Sequence, residues 1–349
     1  MKKKSIRTLN EIAQQNLIPQ TDFLELKKVV DTFSLTISDQ MLQLIDKNNP
    51  NDPIAQQFIP SKEELNISQT ELQDPIADAA HTPVKGIVHR HADRCLFKLA
   101  YACAVYCRFC FRKEKIGNAA ETISPQELKN AYNYIRSHSE IWEVILTGGD
   151  PLMLKPAFLK KILINLATIQ HIEVLRIHTR IPIVDSLKIN TEMLDALKCG
   201  KPVYIIIHAN HPKEFSNEAI QAIAQLVDAG IPLLSQTVLL KNINDNIDVL
   251  GQLMRCFIKN RIKPYYLHHA DLVKGTSHFR TSIKKGQTLL KELRARFSGI
   301  CQPTYVLDLP GGFGKVPIHS NYILSTQETE YCIEDHNGDA HAYSDIYKN

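Results

Sequence analysis

The feature that most constrains the fold is a regular alternation of short strand-like runs and helical patterns, which begins near residue 95. The strand-like runs occupy residues 96–101, 142–147, 173–178, 203–208, 232–239, 264–268 and 304–307. Ser124 and Pro125 open one intervening helix with an N-cap and a first-turn proline, and Gly230 closes the helical pattern at 216–229. Strands and helices that alternate in this way predict βαβ units and a parallel sheet.

Polar residues capable of chemistry follow almost every predicted strand. They are the motifs Thr147-Gly-Gly-Asp150, His178-Thr-Arg180, His208-Ala-Asn210, Ser235-Gln236, His268-His-Ala-Asp271 and the single Asp308. A doubly wound sheet needs such residues at only one crevice, whereas a barrel collects the carboxyl ends of all its strands on one face. The sequence therefore favours an α/β fold of the barrel type. Residues 1–85 are polar and broken, and we expect them to form a helical extension.

The overall composition excludes several classes of protein. Hydrophobic residues make up 44% of the 349 residues and charged residues 22%, so the chain can bury a real core. The net charge of +4 is too balanced for a protein that coats nucleic acid. The basic start at residues 1–7 lacks a following apolar stretch, and no run approaches the ~20 apolar residues of a membrane span. We expect a cytoplasmic protein without nucleic-acid or membrane partners.

Three cysteines lie close together, at Cys103, Cys107 and Cys110, directly after the first predicted strand. In a reducing compartment such a cluster indicates metal binding, and thiolates suit iron–sulfur clusters, zinc or copper(I). A closed zinc site or a four-iron cluster normally takes four protein ligands, so three cysteines leave one position open. The alternatives are a redox pair at Cys107 and Cys110 and a zinc site completed by a distant histidine. The remaining, scattered cysteines are expected to be small buried apolar residues.

A lysine closes the glycine-rich segment that follows the last predicted strand, Asp308-Leu-Pro-Gly-Gly-Phe-Gly-Lys315. The glycines give the backbone around Lys315 freedom, which a lysine needs if it binds a cofactor aldehyde and later moves away. Such a lysine must be partly deprotonated, and burial or nearby cations can achieve this. The alternative is a flexible surface turn with a solvated Lys315.

The Cys-x3-Cys-x2-Cys spacing, with Phe109 before the last cysteine, resembles the signature of the radical S-adenosylmethionine (SAM) enzymes. The resemblance implies that the three thiolates hold a 4Fe-4S cluster whose open iron binds SAM. After the second predicted strand, a glycine-rich segment resembles the segment of that family which contacts the SAM amino group. Its candidate residues are Gly148, Gly149 and Asp150.

Further segments between about Gly86 and Ile323 resemble the lysine 2,3-aminomutase branch of these enzymes and follow one another in the family's order. They are residues 89–94, 103–110, 148–152, 208–212, 236–240, 244–245, 264–266, 278–281 and 310–315. The resemblance implies a partial parallel (β/α) barrel of the radical SAM type over residues 86–323. A helical extension at 1–85 and a short tail at 324–349 would complete the chain.

The same resemblance assigns candidate roles in cofactor binding. Lys315 would hold pyridoxal 5′-phosphate (PLP) as a Schiff base. Arg90 would bind the PLP phosphate, with Arg94 as a weaker candidate, because planar guanidinium groups suit phosphate. His208 and Gln236 match family residues near the SAM and PLP contacts.

Three further residues would bind the substrate. Arg112 would grip its α-carboxylate, and Asp271 and Asp308 would receive the ε-ammonium group of lysine. Two carboxylates would repel the side chain of glutamate, so the resemblance favours lysine. It therefore implies an isomerase, an L-lysine 2,3-aminomutase that makes β-lysine, with an electron donor such as flavodoxin or ferredoxin. It is compatible with an oligomer.

Two other functions remain open at this point. The short chain and His268 resemble the branch that makes (R)-β-lysine for the modification of elongation factor P, which has the same chemistry and a different destination for the product. A function of another class is a non-catalytic iron–sulfur or zinc-binding module. Such a module would have no need for Arg112, Asp271, Asp308 and the lysine motif, all of which are present.

Overall fold

The structure, a computed structural model, describes residues 5–335 and 337–345. Its main body is a nine-stranded sheet whose strands lie side by side in chain order. The strands are β1 (Ile87–His91), β2 (Arg94–Ala100), β3 (Glu143–Gly148), β4 (Val174–Thr179), β5 (Val203–His208), β6 (Leu233–Leu239), β7 (Lys263–His269), β8 (Thr304–Asp308) and β9 (Lys315–Pro317). β2 to β8 are parallel, while β1 and β9 pair antiparallel at the two edges. The sheet curls into a half-barrel, which confirms the predicted fold.

Helices precede the sheet and connect its parallel strands. They are α1 (Leu9–Gln14), α2 (Phe23–Thr32), α3 (Asp39–Leu44), α4 (Pro53–Phe58), α5 (Pro125–Ser137), α6 (Pro156–Ala167), α7 (Ile181–Val184), α8 (Thr191–Ala196), α9 (Asn217–Asp228), α10 (Ile247–Lys259) and α11 (Ile283–Arg296). The predicted N-cap of α5 is confirmed, since Ser124 and Glu127 form a reciprocal capping box. In α10, Leu250, Met254 and Phe257 recur at helical spacing and are buried on one face.

The two faces of the strands have different surroundings, as β5 illustrates. Val203, Ile205 and Ile207 point outward into the hydrophobic core beneath the helices. Tyr204 and His208 alternate with them and line a cavity inside the half-barrel. β-branched residues favour the extended backbone and pack well between helix and sheet. The inner face is thereby left for polar side chains.

The segment before the sheet supports the loop that carries the three cysteines. Glu64 is fully buried and accepts hydrogen bonds from Arg108 Nε at 2.9 Å and Nη2 at 2.5 Å. Lys113 Nζ donates to the same carboxylate at 2.8 Å. Arg108 lies between Cys107 and Cys110, and Lys113 follows Cys110 by three residues. A single carboxylate from the extension therefore pairs with two buried cations beside these cysteines.

Replacement of Glu64 by glutamine is expected to lower the free energy of unfolding by about 3 kcal/mol or more, because two buried cations lose their counter-charge. Thermal or urea unfolding would measure this loss. The matched control is Glu63→Gln on the exposed side of the same turn, where we expect a change below about 0.5 kcal/mol. Equal stabilities of the two variants would contradict a supporting role for Glu64.

The segment predicted as a tail contains a separate antiparallel sheet. Its strands are β10 (Ile323–Gln327), β11 (Glu330–Glu334) and β12 (Ala340–Ser344). Residues 336 and 346–349 of that segment, like residues 1–4 of the basic start, lie outside the described residues. Across the ranges 5–335 and 337–345, no helix combines the length and the apolar character needed to cross a bilayer.

Candidate active site

A cavity of about 680 Å³ lies inside the half-barrel and extends from the carboxyl ends of the strands to their amino ends. Every residue that the sequence analysis proposed for the site lines it. They are Arg90, Arg94, Cys103, Cys107, Cys110, Arg112, Gly148, Gly149, Asp150, His208, Gln236, Asp271, Asp308 and Lys315. The structure therefore brings together candidates that lie as far apart as Arg90 and Lys315 in the sequence.

The end of β3 packs closely against the loop that carries the three cysteines. The backbone N–H of Gly149 donates to the Ala100 oxygen at 2.6 Å, and that of Asp150 donates to the Ala102 oxygen at 2.9 Å. A Cβ atom on Gly149 would clash with the backbone of Ala102, and Gly148 has a φ of +111°. Only glycine tolerates both conditions. The two glycines are thus required for the contact between strand end and cysteine loop.

Burial raises the pKa of all three loop thiols. The pKa of Cys103 lies well above its usual value, and that of Cys110 is raised to about 11. For Cys107 the effect of burial is opposed by Arg180, whose Nη1 donates to the Cys107 sulfur at 2.8 Å. Metal binding requires thiolates, so a metal ion bound here would have to displace the thiol protons.

The Asp150 carboxylate is buried and already engaged within the protein. It accepts hydrogen bonds from Thr179 Oγ1 at 2.7 Å, from the backbone N–H of Arg180 at 2.7 Å and from that of Leu152 at 3.0 Å. Burial raises the pKa of Asp150 to about 6. Because Thr179 ends β4, Asp150 ties the glycine segment after β3 to the neighbouring strand.

A lysine and two carboxyl groups face one another where β8 meets β9. Lys315 pairs with Asp308 in the antiparallel register, and its Nζ donates to Asp308 Oδ1 at 2.8 Å. Although burial acts in the other direction, His268 and the charge of Lys315 hold the pKa of Asp308 well below its usual range. The Nδ1 atom of His268 lies 3.6 Å from Asp308 Oδ2. Burial, followed by the negative charge of Asp308, raises the pKa of Asp271 to about 7. Asp308 is therefore negatively charged near neutral pH, whereas Asp271 titrates there.

A second group of charges surrounds Asp78, which the sequence analysis missed. Arg112 donates to Asp78 Oδ2 through Nε at 3.1 Å and Nη2 at 2.8 Å. Lys98 Nζ lies 3.3 Å and Arg90 Nη2 3.4 Å from the same carboxylate. Burial acts to raise the pKa of Asp78, but the charges of Arg112 and Lys98 lower it to about 2. Three cations around one carboxylate leave excess positive charge, which suits anionic groups of ligands.

Several buried polar atoms of the cavity wall have no hydrogen-bond partner among the described residues. They are Nε of Arg90, Arg176 and Arg180 and Nε2 of His178 and His268. A buried polar group without a partner is costly, so a concentration of such atoms around one cavity indicates bound ligands. Both arginine and imidazole nitrogens suit phosphate, carboxylate and hydroxyl groups.

The remaining candidates have simple contacts. His208 Nε2 lies 3.1 Å from Asn210 Oδ1, and Gln236 Oε1 lies 2.8 Å from His178 Nδ1. Arg94 begins β2 and lies at the end of the cavity formed by the amino ends of the strands. Its Nη1 pairs with Oδ1 of the neighbouring Asp93 at 2.7 Å. The rule that strand ends carry function could have added His178 and Arg180 to the candidates. Asp78 precedes the sheet and carries no such signal.

Two family models match the chain. The model described as Radical SAM superfamily matches residues 97–251, and that described as Lysine-2,3-aminomutase matches residues 290–347. The L-lysine 2,3-aminomutase of Methanococcus maripaludis is 40% identical over 315 residues, which cover 90% of this chain and 73% of that protein. The chain belongs to the lysine 2,3-aminomutase family.

Other members of the lysine 2,3-aminomutase family are similarly close. The L-lysine 2,3-aminomutase of Clostridium subterminale is 36% identical over 340 residues, or 97% of this chain and 82% of that protein. The glutamate 2,3-aminomutase of Clostridioides difficile is 38% identical over 306 residues, or 88% of this chain and 72% of that protein. These relatives favour neither a non-catalytic module nor the elongation factor P pathway.

Membership in the lysine 2,3-aminomutase family means that the protein is an isomerase with a 4Fe-4S cluster, SAM and PLP as cofactors. The residues present fit these groups. Three thiols on one loop supply soft ligands for iron and leave one position open. Lys315 supplies an amine that faces the cavity, and the unpartnered arginine nitrogens can bind anionic groups. The cavity volume of about 680 Å³ lies within the usual range of ligand-binding pockets.

Proposed function

We propose that this protein is an L-lysine 2,3-aminomutase, which converts L-lysine into β-lysine by moving the α-amino group to the β-carbon. The observation that carries the proposal is the placement of Arg112, Asp271, Asp308 and Lys315 around one cavity. A guanidinium at one place and two carboxyl groups at another match the charges at the two ends of lysine. When bound, the cofactors supply the radical and the electrophilic carbonyl that the amino shift requires.

Residues of the cysteine loop, of the edge strands β1 and β9 and of the strand ends bind the cofactors. The three cysteines would hold the cluster, and a protein such as flavodoxin or ferredoxin would supply its electron. Lys315 holds PLP, and Arg90 binds its phosphate, with Arg94 as a weaker candidate. The residues near SAM are Gly148, Gly149, Asp150, His208 and Gln236. We place the protein in the cytoplasm, where reducing conditions keep the cysteines available.

Substrate binding uses charges that the protein has already ordered. Arg112 is oriented by its two hydrogen bonds to Asp78 and binds the α-carboxylate of lysine. Asp308 accepts a hydrogen bond from the Lys315 ammonium at 2.8 Å. With Lys315 occupied by PLP, this carboxylate would be available for the ε-ammonium group of lysine. Both carboxyl groups are largely buried, so they attract a cation more strongly than in water.

We also propose a functional division of the chain. Residues 86–323 form the radical SAM barrel with the PLP-binding lysine, and residues 324–349 follow it as a C-terminal tail with its own small sheet. Residues 1–85 form an extension that supports the cysteine loop. Glu64 contributes its buried carboxylate, and the backbone oxygen of Gln57 accepts a hydrogen bond from Arg108 N at 2.9 Å.

The decisive experiment is a product assay with two substrates. The protein is purified without oxygen, reconstituted with iron, sulfide and PLP, and incubated with SAM, dithionite and either L-lysine or L-glutamate. Chromatography against α- and β-amino acid standards identifies the product. We expect β-lysine from L-lysine and no β-glutamate, because Asp271 and Asp308 repel a third carboxylate. Cleavage of SAM without any change in lysine would show that the substrate is a different one.

The KM for L-lysine is expected to fall as the pH rises from about 6 to about 8. Below a pH of about 7 Asp271 holds a proton and lacks the charge that attracts the ε-ammonium, and above it the carboxylate forms. The effect is at most about tenfold per pH unit on the acidic side. Initial rates at several pH values measure it, and the Asp271→Asn variant should lose this pH dependence. A flat KM profile in the unsubstituted protein would contradict the role of Asp271.

A further inference from the structure

Arg180 is a buried cation that contacts a cysteine of the site. It directly follows β4, and its Nη1 donates a hydrogen bond to the Cys107 sulfur at 2.8 Å. Its Nη2 donates to Glu214 Oε2 at 2.5 Å and to Gln57 Oε1 at 3.0 Å. The guanidinium therefore bridges a cluster ligand, the segment after β5 and the N-terminal extension.

The partner of Arg180 is itself firmly held. Glu214 is fully buried, and its Oε1 accepts hydrogen bonds from the backbone N–H groups of Asn210 at 2.8 Å and His211 at 2.9 Å. Gln57 Nε2 donates to the same oxygen at 3.0 Å. Because Glu214 cannot move without breaking these bonds, Arg180 has a fixed position relative to the Cys107 sulfur.

The surroundings of Arg180 strengthen its electrostatic effect. The rings of Phe58 and Phe109 lie 5.0 Å and 5.7 Å from the guanidinium carbon, and water has little access to the side chain. In such an apolar environment a charge acts over a longer distance than in water. The environment of a cluster sulfur, its hydrogen bonds and nearby charge are among the factors that determine the reduction potential of an iron–sulfur cluster.

We propose that Arg180 is a positioning residue that raises the midpoint potential of the cluster through its hydrogen bond and charge at Cys107. Reduction adds one electron to the cluster, and the electron comes from the donor protein or from dithionite. Arg180 stabilises the added negative charge, and no bond to it is formed or broken and no proton moves. The inference rests on the cluster of the proposed function.

The experiment is a redox titration of the reconstituted protein, followed by the electron paramagnetic resonance signal of the reduced cluster. We expect a lower midpoint potential in Arg180→Gln, which loses the positive charge, than in the unsubstituted protein. Glu214→Gln removes a negative charge and should raise the potential. The double variant restores the balance of charge and should lie between the two single variants. Arg261→Gln, which removes an exposed arginine paired with Asp228, is the matched control and should leave the potential unchanged.

A midpoint potential does not depend on the fraction of molecules that carry a cluster, so a variant that loads poorly can still be measured. Arg180→Lys keeps the positive charge, and its midpoint potential is measured as well in case Arg180→Gln forms no cluster. It should show a smaller shift in the same direction, because the lysine cannot reproduce the forked contact. SAM affinity is measured in parallel. An unchanged potential in Arg180→Gln and Arg180→Lys, with weaker SAM binding, would overturn the inference and make Arg180 a SAM ligand. A failure of the unsubstituted protein to form any cluster would instead contradict the proposed function.

Discussion

Replacement of Lys315 by alanine is expected to abolish β-lysine formation, with a loss of roughly three orders of magnitude or more. Among the residues that the structure describes, no lysine other than Lys315 lines the cavity. No neighbouring amine can therefore replace it. Product chromatography measures the loss of activity. Visible absorption after gel filtration measures the accompanying loss of bound PLP.

The matched control for Lys315 is Lys284→Ala on the exposed face of α11. This variant removes the same charge from the surface and should retain both PLP and activity. The Lys315→Ala protein should still cleave SAM slowly in the presence of dithionite, since its cysteine loop is unchanged. Retention of PLP together with full activity in Lys315→Ala would contradict the assignment of the cofactor to this lysine.

The second large effect is expected for Cys107→Ser. The loss of one of three thiolates should reduce SAM cleavage by more than roughly 100-fold, because changes in groups that merely support a ligand already cost about 10–100-fold. The buried Arg180 would also lose the sulfur to which it donates. Iron and sulfide content, the absorption of the cluster and the yield of 5′-deoxyadenosine measure the effect.

Cys199→Ser is the matched control for Cys107. Its sulfur lies on the loop after α8 and donates only a long contact of 3.7 Å to the Lys201 oxygen, away from the cavity. We expect normal iron content and normal SAM cleavage in this variant. If Cys107→Ser and Cys199→Ser behaved alike, the cluster would have to be held elsewhere.

The main sheet could be predicted because its signal is local. Predicted strand 203–208 coincides with β5, and predicted strand 264–268 lies within β7. Buried parallel strands are continuous apolar runs, and the intervening helices have their own caps and periodicity. The strand order predicted the face on which a site would lie, since a barrel places all the carboxyl ends of its parallel strands together. The individual candidate residues came from the resemblance to the family.

The elements that were missed lack such a local signal. β1 and β9 are short edge strands without a connecting helix, so no alternation marks them. Asp78 acquires its role only from Arg112, which is 34 residues away. Arg180 does follow a predicted strand, but its contact with Cys107, 73 residues away, is made only when the chain folds. Contacts between residues so distant in the sequence form only when the chain folds. A single sequence does not show which charged side chains will be paired.

The order of the strands has a consequence for synthesis. Each new strand of the half-barrel pairs with the one made just before it, so the sheet can grow stepwise while the ribosome is still elongating the chain. The support of the cysteine loop does not follow this order, because Gln57 must wait for Glu214, 157 residues later. Before Glu214 has emerged, the loop is exposed without its final contacts. The cysteine loop can therefore reach its final arrangement only after synthesis has passed Glu214.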